Sequence, residues 1–251
     1  MVLTTEASWI LMIVLFSTFV RSAFGFGDAL IAMPLLTLVV GLKTATPVVA
    51  LIASTISLTI LVRHWRDVQV GSAWRLIVST FIGIPVGLWL LKGAHEEALK
   101  LILAVVIIGF SSYQLIKPHI LRLRTEKSAT LFGLIAGILG GAYNTNGPAV
   151  VIYGSLREWP PETFRATLQG YFFPTGLMIT LGHGFAGLWT RTVWSHYLLA
   201  LPVVLASIWI GGYVHRRIPK GKFDGFIHIL LILIGAFLVF NTIRDMTAAS
   251  S

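Results

Sequence analysis

The sequence predicts an all-α polytopic membrane protein built from two inverted repeats, each a re-entrant or broken-helix hairpin followed by three transmembrane helices. Three observations predict it. Apolar runs of membrane-spanning length recur along the chain, which is 56% hydrophobic and 12% charged where a soluble domain is about a quarter charged. Two of those runs carry glycine-rich breaks, Phe24-Gly25-Phe26-Gly27-Asp28 and Gly140-Gly141-Ala142-Tyr143-Asn144-Thr145-Asn146-Gly147-Pro148. Laid over each other at an offset of 120 residues, Gly27 meets Gly147. The third observation is the placement of Lys and Arg, which fixes the sidedness of the connections.

Eight apolar segments follow in order: 8–40, 46–62, 72–91, 97–116, 129–155, 163–188, 192–213 and 223–243. One crossing needs about 20 residues. Segments three to eight are long enough, and the second is near the lower limit. The first and fifth hold the breaks. Arg63, Arg66 and Arg75 surround the link after segment two; Lys117, Arg122, Arg124 and Lys127 follow segment four; Arg216, Arg217, Lys220 and Lys222 follow segment seven. The positive-inside rule places all three links in the cytoplasm. Segments six and seven are two crossings, so segment five must begin and end on the same side. By the same count, segment one begins and ends outside. One hairpin plus three crossings is an odd number of passes per half, which makes the second half an inversion of the first. Ala45-Thr46 with Ala166-Thr167, His64 with His183, and Pro85 with Pro202 add looser correspondences. The domains read as a first repeat over 1–116, a basic cytoplasmic loop over 117–128 and a second repeat over 129–251, with an unstructured tail from Thr247.

Composition excludes several classes. A net charge of +9 would suggest nucleic acid in a soluble chain, but here it lies in the connections, so no nucleic-acid partner is expected. There is no cysteine, and the seven histidines and ten carboxylates show no metal-ligand spacing. No Walker loop, Gly-x-Ser-x-Gly elbow or cluster of acid, base and nucleophile is present, so neither an enzyme nor a cofactor is expected. The start Met1-Val2-Leu3-Thr4-Thr5-Glu6 has no basic run before the first apolar stretch, so no cleavable leader is expected.

The breaks are the candidate site. Irregular backbone inside a bilayer survives only where protein or a water-filled cavity satisfies it, and paired breaks in two halves point to a transporter's binding site. Helices restarting after Gly27 and Gly147 direct N–H groups and the positive ends of their dipoles at the space between them, which favours an anion. Gly25, Gly27, Gly141 and Gly147 leave room for a ligand; the alternative is close helix packing. Phe26 belongs to the first tip. Asn144, Thr145 and Asn146 offer uncharged donors, or cap the following helix. Tyr143 either donates its hydroxyl or packs. Arg21 lies one turn before the first break, deep enough to need Asp28 or a bound anion as partner. Asp28 is the candidate proton acceptor, or a helix cap. Arg165 either guides anions or anchors at the interface, as does Lys43. Gln169 faces the cavity or another helix. His64 and His183 read as histidines near the interface, with a proton relay as the other option. A proton or sodium ion is the candidate coupling ion.

These residues resemble the TauE/SafE family of bacterial membrane permeases, sometimes called sulfite exporters. The first motif is Gly25-Phe26-Gly27-Asp28-Ala29-Leu30-Ile31-Ala32-Met33-Pro34-Leu35, similar to the family's spaced glycines followed by an apolar turn and Pro-Leu. The second is Gly137-Ile138-Leu139-Gly140-Gly141-Ala142-Tyr143-Asn144-Thr145-Asn146-Gly147-Pro148, and Arg165-Ala166-Thr167 looks like the family's Arg-Ala motif. Asp28 stands where the family commonly has a third glycine, Asn144-Thr145-Asn146 replaces much of the second glycine cluster, and Gly154 stands where a proline usually falls. These departures fall at the proposed site. The resemblance implies a multi-pass protein of the bacterial cytoplasmic membrane that moves a small sulfur-containing anion such as sulfite, sulfoacetate or a related sulfonate. Alternating access by rocking of the halves is the expected mode; an anion channel or a carboxylate carrier is the alternative.

Overall fold

Each helix starts or stops where the sequence changes chemistry. The computed structural model describes residues 5–24, 26–64, 73–116, 123, 125, 127–215 and 222–250, with side chains at all of these except 24, 60–64, 161–163, 165, 166, 169, 215, 222–224, 249 and 250. These residues form ten helices. The first run breaks into α1 (Thr5–Phe24) and α2 (Asp28–Val40), followed by α3 (Leu42–His64), α4 (Trp74–Gly93) and α5 (Glu96–Ile116). The fifth run breaks into α6 (Ser128–Tyr143) and α7 (Gly147–Leu156), followed by α8 (Pro161–Phe185), α9 (Arg191–His215) and α10 (Lys222–Ser250). Among the described residues, α1, α3, α4, α5, α9 and α10 are long and apolar enough to cross a membrane. At 1.5 Å per residue, the 13 residues of α2 and the 10 of α7 reach only about 20 and 15 Å. Both stop short of a hydrocarbon core about 30 Å thick.

Two expectations are corrected. The second segment starts earlier than expected: α3 begins at Leu42 and runs for 23 residues, with an apolar span of 18 residues, Leu42–Thr59, that stays near the lower limit for a crossing. The tail from Thr247 is not unstructured up to Ser250, where α10 ends. The Thr247 hydroxyl donates to Arg244 O at 2.8 Å and the Ala pair that follows favours helix. The basic stretches at 65–72, 117–122 and 216–221 lie outside the described residues.

Contacts between helix ends place the first hairpin's two outer ends on one face. Glu6 at the start of α1 lies 3.5 Å from His196 at the start of α9. The Leu42 N–H, just past the end of α2, donates to Glu96 Oε1 at the start of α5 at 3.0 Å. Lys92 at the end of α4 takes the Lys43 ammonium on its carbonyl and gives its own to Ala186 O, just past α8. The second hairpin opens at the other face. There the Leu123 N–H donates to Leu156 O and Arg157 Nη1 donates to Leu123 O, which ties the start of α6 to the end of α7. The two hairpins therefore enter from opposite faces.

The tightest packing runs between the halves. α4 lies parallel to α6, with Gly83 and Gly87 against Gly137 and Gly141. A Cβ at any of these four would overlap a backbone carbonyl of the facing helix. Such small-residue seams supply dispersion contact where lipid removes the hydrophobic drive between helices. α1 lies parallel to α9 in the same way, with Gly211 against Phe19 and Ser22. α3 runs antiparallel to α8: Ser54 Oγ donates to Thr180 Oγ1 at 2.7 Å, and Thr180 Oγ1 to Ala50 O at 3.0 Å. α5 runs antiparallel to α10, with Ile108 near Gly235 and Phe110 near His228.

Gly137→Ala is expected to destabilise the detergent-solubilised protein by about 1–3 kcal/mol through overpacking. Gly109→Ala, where a Cβ meets nothing within 4 Å, is expected to leave the melting temperature unchanged. Equal melting of the two variants would show that the α4–α6 seam is not the close contact described.

Candidate functional site

The first tip is built from one left-handed residue and one ion pair. Gly27 has φ +103, a conformation that an L side chain rarely adopts, and α2 starts directly after it. Asp28 does not cap α2. Its Oδ1 instead accepts from Arg21 Nη1 at 2.9 Å, and Arg21 Nη2 donates to Ser57 Oγ of α3 at 2.7 Å. Arg21 and Asp28 are 6% and 5% exposed. The Arg21 guanidinium also lies 5.6 Å from the centre of the Phe172 ring of α8, a cation–π contact in a dry setting. Arg21 sits in the last turn of α1, where a cation offsets the negative end of the dipole.

The second tip ends α6 through Asn144, whose φ of 53 is left-handed. Asparagine tolerates that region better than other side chains. The Asn144 and Thr145 N–H groups then return to Gly140 O and Leu139 O, a left-handed termination that satisfies the last carbonyls. Two more carbonyls near this end are covered: Gly141 O lies 3.0 Å from His183 Nε2, and Ala142 O accepts from Thr46 Oγ1 at 3.4 Å. The restart is different. α7 has Pro148 in its first turn and no side-chain cap, and α2 likewise has none. Asn146 does not cap α7; its Nδ2 donates to Thr175 Oγ1 of α8 at 3.2 Å. The carbonyl end of the break is thus quenched by protein, and the N–H end is left without a side-chain partner.

Both tips line one cavity. Arg21, Phe26, Gly27 and Asp28 form one side, and Asn144, Thr145, Asn146 and Gly147 form the other. Ala53 and Ser57 of α3, with Phe172 and Gly176 of α8, complete it. On the scale on which about 10–15 Å³ holds one water, it measures about 30 Å³. That is room for about two or three waters. Three polar atoms at its wall are buried with no partner: Arg21 Nε, Asp28 Oδ2 and Thr145 Oγ1. Buried polar atoms are ordinarily paired, so these three stand out among the residues that line the cavity.

The remaining sequence candidates separate. Tyr143 is buried but does not line the cavity. Gly141 belongs to the packing seam with α4. Gly25 lies outside the described residues, as do the side chains of Arg165, Gln169 and His64. His183 is not at an interface: it is fully buried against the second tip, because its ring satisfies Gly141 O. Ser57 and Phe172 were not anticipated. The dense hydroxyl run Ser54, Thr55, Ser57 and Thr59 inside an apolar helix was the available signal for the first; an aromatic in an apolar span carries none.

Helices that break within apolar runs and meet tip to tip at a shared cavity are the pattern of a membrane transporter. The chain matches the sulfite exporter TauE/SafE family model over residues 10–238, and it belongs to that family. Neither a curated protein nor a solved structure matches the chain.

Arg21→Met, which leaves Asp28 buried without its cation, is expected to cost about 3–5 kcal/mol of stability. Arg21→Met/Asp28→Leu should recover most of it in thermal melts. If the double variant lost as much as the two single variants together, the two residues would not be an energetic pair.

Proposed function

We propose that this transporter is a gradient-driven carrier for a small sulfur-containing anion, sulfite or a compact sulfonate, in the bacterial cytoplasmic membrane. The observation that carries the reading is the pair of uncapped helix starts, α2 and α7, sharing one small cavity with a buried arginine. Partial positive charge at both helix starts favours an oxyanion. Thr145, Asn144 and Arg21 offer donors suited to its oxygens. The family supplies the sulfur chemistry, since its name is that of a sulfite exporter.

The halves 1–116 and 129–251, joined by the loop 117–128, act as inverted repeats in this reading. Support comes from the helix directions. α3 and α8 hold equivalent places in the two halves and run antiparallel, as do α5 and α10. A twofold axis lying in the membrane plane relates pairs of that kind. The α1–α9 and α4–α6 pairings exchange under the same operation. Alternating access follows if the cavity opens first to one face and then to the other. The basic connections put the opening of the second hairpin on the cytoplasmic side.

The test is flux into liposomes holding the purified protein. Labelled sulfite or sulfoacetate is expected to enter saturably and to show counterflow, with acetate and chloride poor competitors. Gly147→Leu should abolish flux while the protein still inserts, because a Cβ there meets only Phe172, at 3.6 Å, and a larger side chain grows into the cavity. Non-saturable flux without counterflow would make the protein a channel. Preference for acetate would move it to carboxylates, and normal flux in Gly147→Leu would remove the cavity from the transport path.

A further inference from the structure

The charges of the cavity already cancel before any ligand arrives. Among the described residues that line it, Arg21 and Asp28 are the charged ones. An anion entering beside this neutral pair would be met by the partial charges of two helix starts but by no full counter-charge, which proteins ordinarily supply to a buried ion. The pair itself is half made. A guanidinium and a carboxylate built for each other usually form two parallel hydrogen bonds. Here one is present, Nη1 to Oδ1 at 2.9 Å, while Arg21 Nε and Asp28 Oδ2 are buried without partners. Ser57 holds the third nitrogen, Nη2, from a separate helix. The guanidinium therefore keeps one anchor even if the carboxylate leaves.

We infer that Asp28 keeps the substrate's place on Arg21, and that the substrate takes that place in exchange for one proton. The inference rests on the anion-carrier reading above. An entering oxyanion accepts from the free Nε and from the Nη1 now given to Asp28. Asp28, displaced but still beside the anion, gains an O–H bond by taking a proton from solvent. Two anionic groups in contact with one guanidinium do not both stay ionised in a dry site. That proton is the counter-charge. The loaded cavity is then neutral, like the empty one, and one monoanion moves with one proton. When the anion leaves, Asp28 gives up its proton and the Arg21–Asp28 pair re-forms, so the empty carrier returns with no buried net charge.

Other titratable groups stand further off. On the elements packed against α2, Tyr113 of α5 and His228 of α10 do not line the cavity. Phe110 lies between Phe26 and the His228 ring, whose centre is 5.7 Å from its own. Lys43 and Glu96 lie at the far end of α2, by Leu42. His183 of α8 sits against Gly141 behind the second tip.

The experiment titrates the purified full-length protein with methanesulfonate, whose own charge is fixed, in sodium-free, weakly buffered detergent with a pH indicator. The expected result is about one proton taken up per anion bound, and a Kd that falls about tenfold for each unit fall in pH. Asp28→Asn, which cannot take the proton, should bind with no proton uptake and a Kd independent of pH. If that variant does not fold, the proton count of the unaltered protein decides alone. Binding without proton uptake, binding that instead requires sodium, or uptake retained by Asp28→Asn overturns the exchange and leaves the anion carrier standing. Failure to bind either methanesulfonate or sulfite at any pH, with sodium absent or added, removes the anion carrier, and the exchange with it.

Discussion

A helix that stops inside a bilayer leaves its last N–H or C=O groups without water to bond. That constraint shapes the centre of this protein. At the second break the carbonyl end is closed by a left-handed asparagine, a histidine and a threonine from three different elements. At the first, an arginine occupies the last turn of α1. Both N–H ends are left to the cavity. Asn146 and Asp28, the polar residues best placed to cap them, are instead committed to Thr175 and Arg21. At the second break the asymmetry covers the carbonyl end and leaves the positive end of α7 to the cavity.

Holding that space requires a second layer. Asn146 bonds Thr175, whose hydroxyl donates to Tyr171 O, and the Tyr171 hydroxyl meets Thr80 Oγ1 at 2.8 Å. Thr80 in turn donates to Gly133 O. The second tip is thereby fixed to α8 and α4 by bonds that are each modest in water but costly to leave unmade in a dry interior. At the outer end of the same hairpin, Tyr153, Trp159 and Phe164 stack edge to face around Gly154. A side chain there would strike Trp159 and Phe164, so the position takes glycine.

Much of the skeleton was legible in the sequence because the bilayer allows so few solutions. Glycine and asparagine clusters inside apolar runs can only be breaks, and the charged links set their sidedness. Both breaks fall where expected, between Phe24 and Asp28 and between Tyr143 and Gly147. The Arg21–Asp28 pair was one of two readings, since a deep arginine must find either a carboxylate or a bound anion. What the sequence left open was the sorting of glycines. Gly27 and Gly147 line the cavity, whereas Gly141, only a few residues away, is buried in a helix seam; nothing local distinguishes them. Contacts between distant segments were also out of reach. Ser57 could be chosen from its neighbouring hydroxyls only once α3 was packed against the first tip, and His183 looked interfacial because its partner, a carbonyl 42 residues earlier, leaves no mark in composition.

The seam between α4 and α6 also bears on how such a molecule can move. Its backbones touch with no side chain between them, and the same holds in part for α1 on α9. A swing of residues 1–116 against 129–251 would have to tear both contacts apart. The surfaces able to slide are those where side chains or hydroxyls intervene, α3 on α8 and α5 on α10. If the protein works by alternating access, the pieces that travel as units would each take helices from both halves of the chain. In mechanical terms the two halves are clasped hands, and the joint lies across the fingers rather than between the palms.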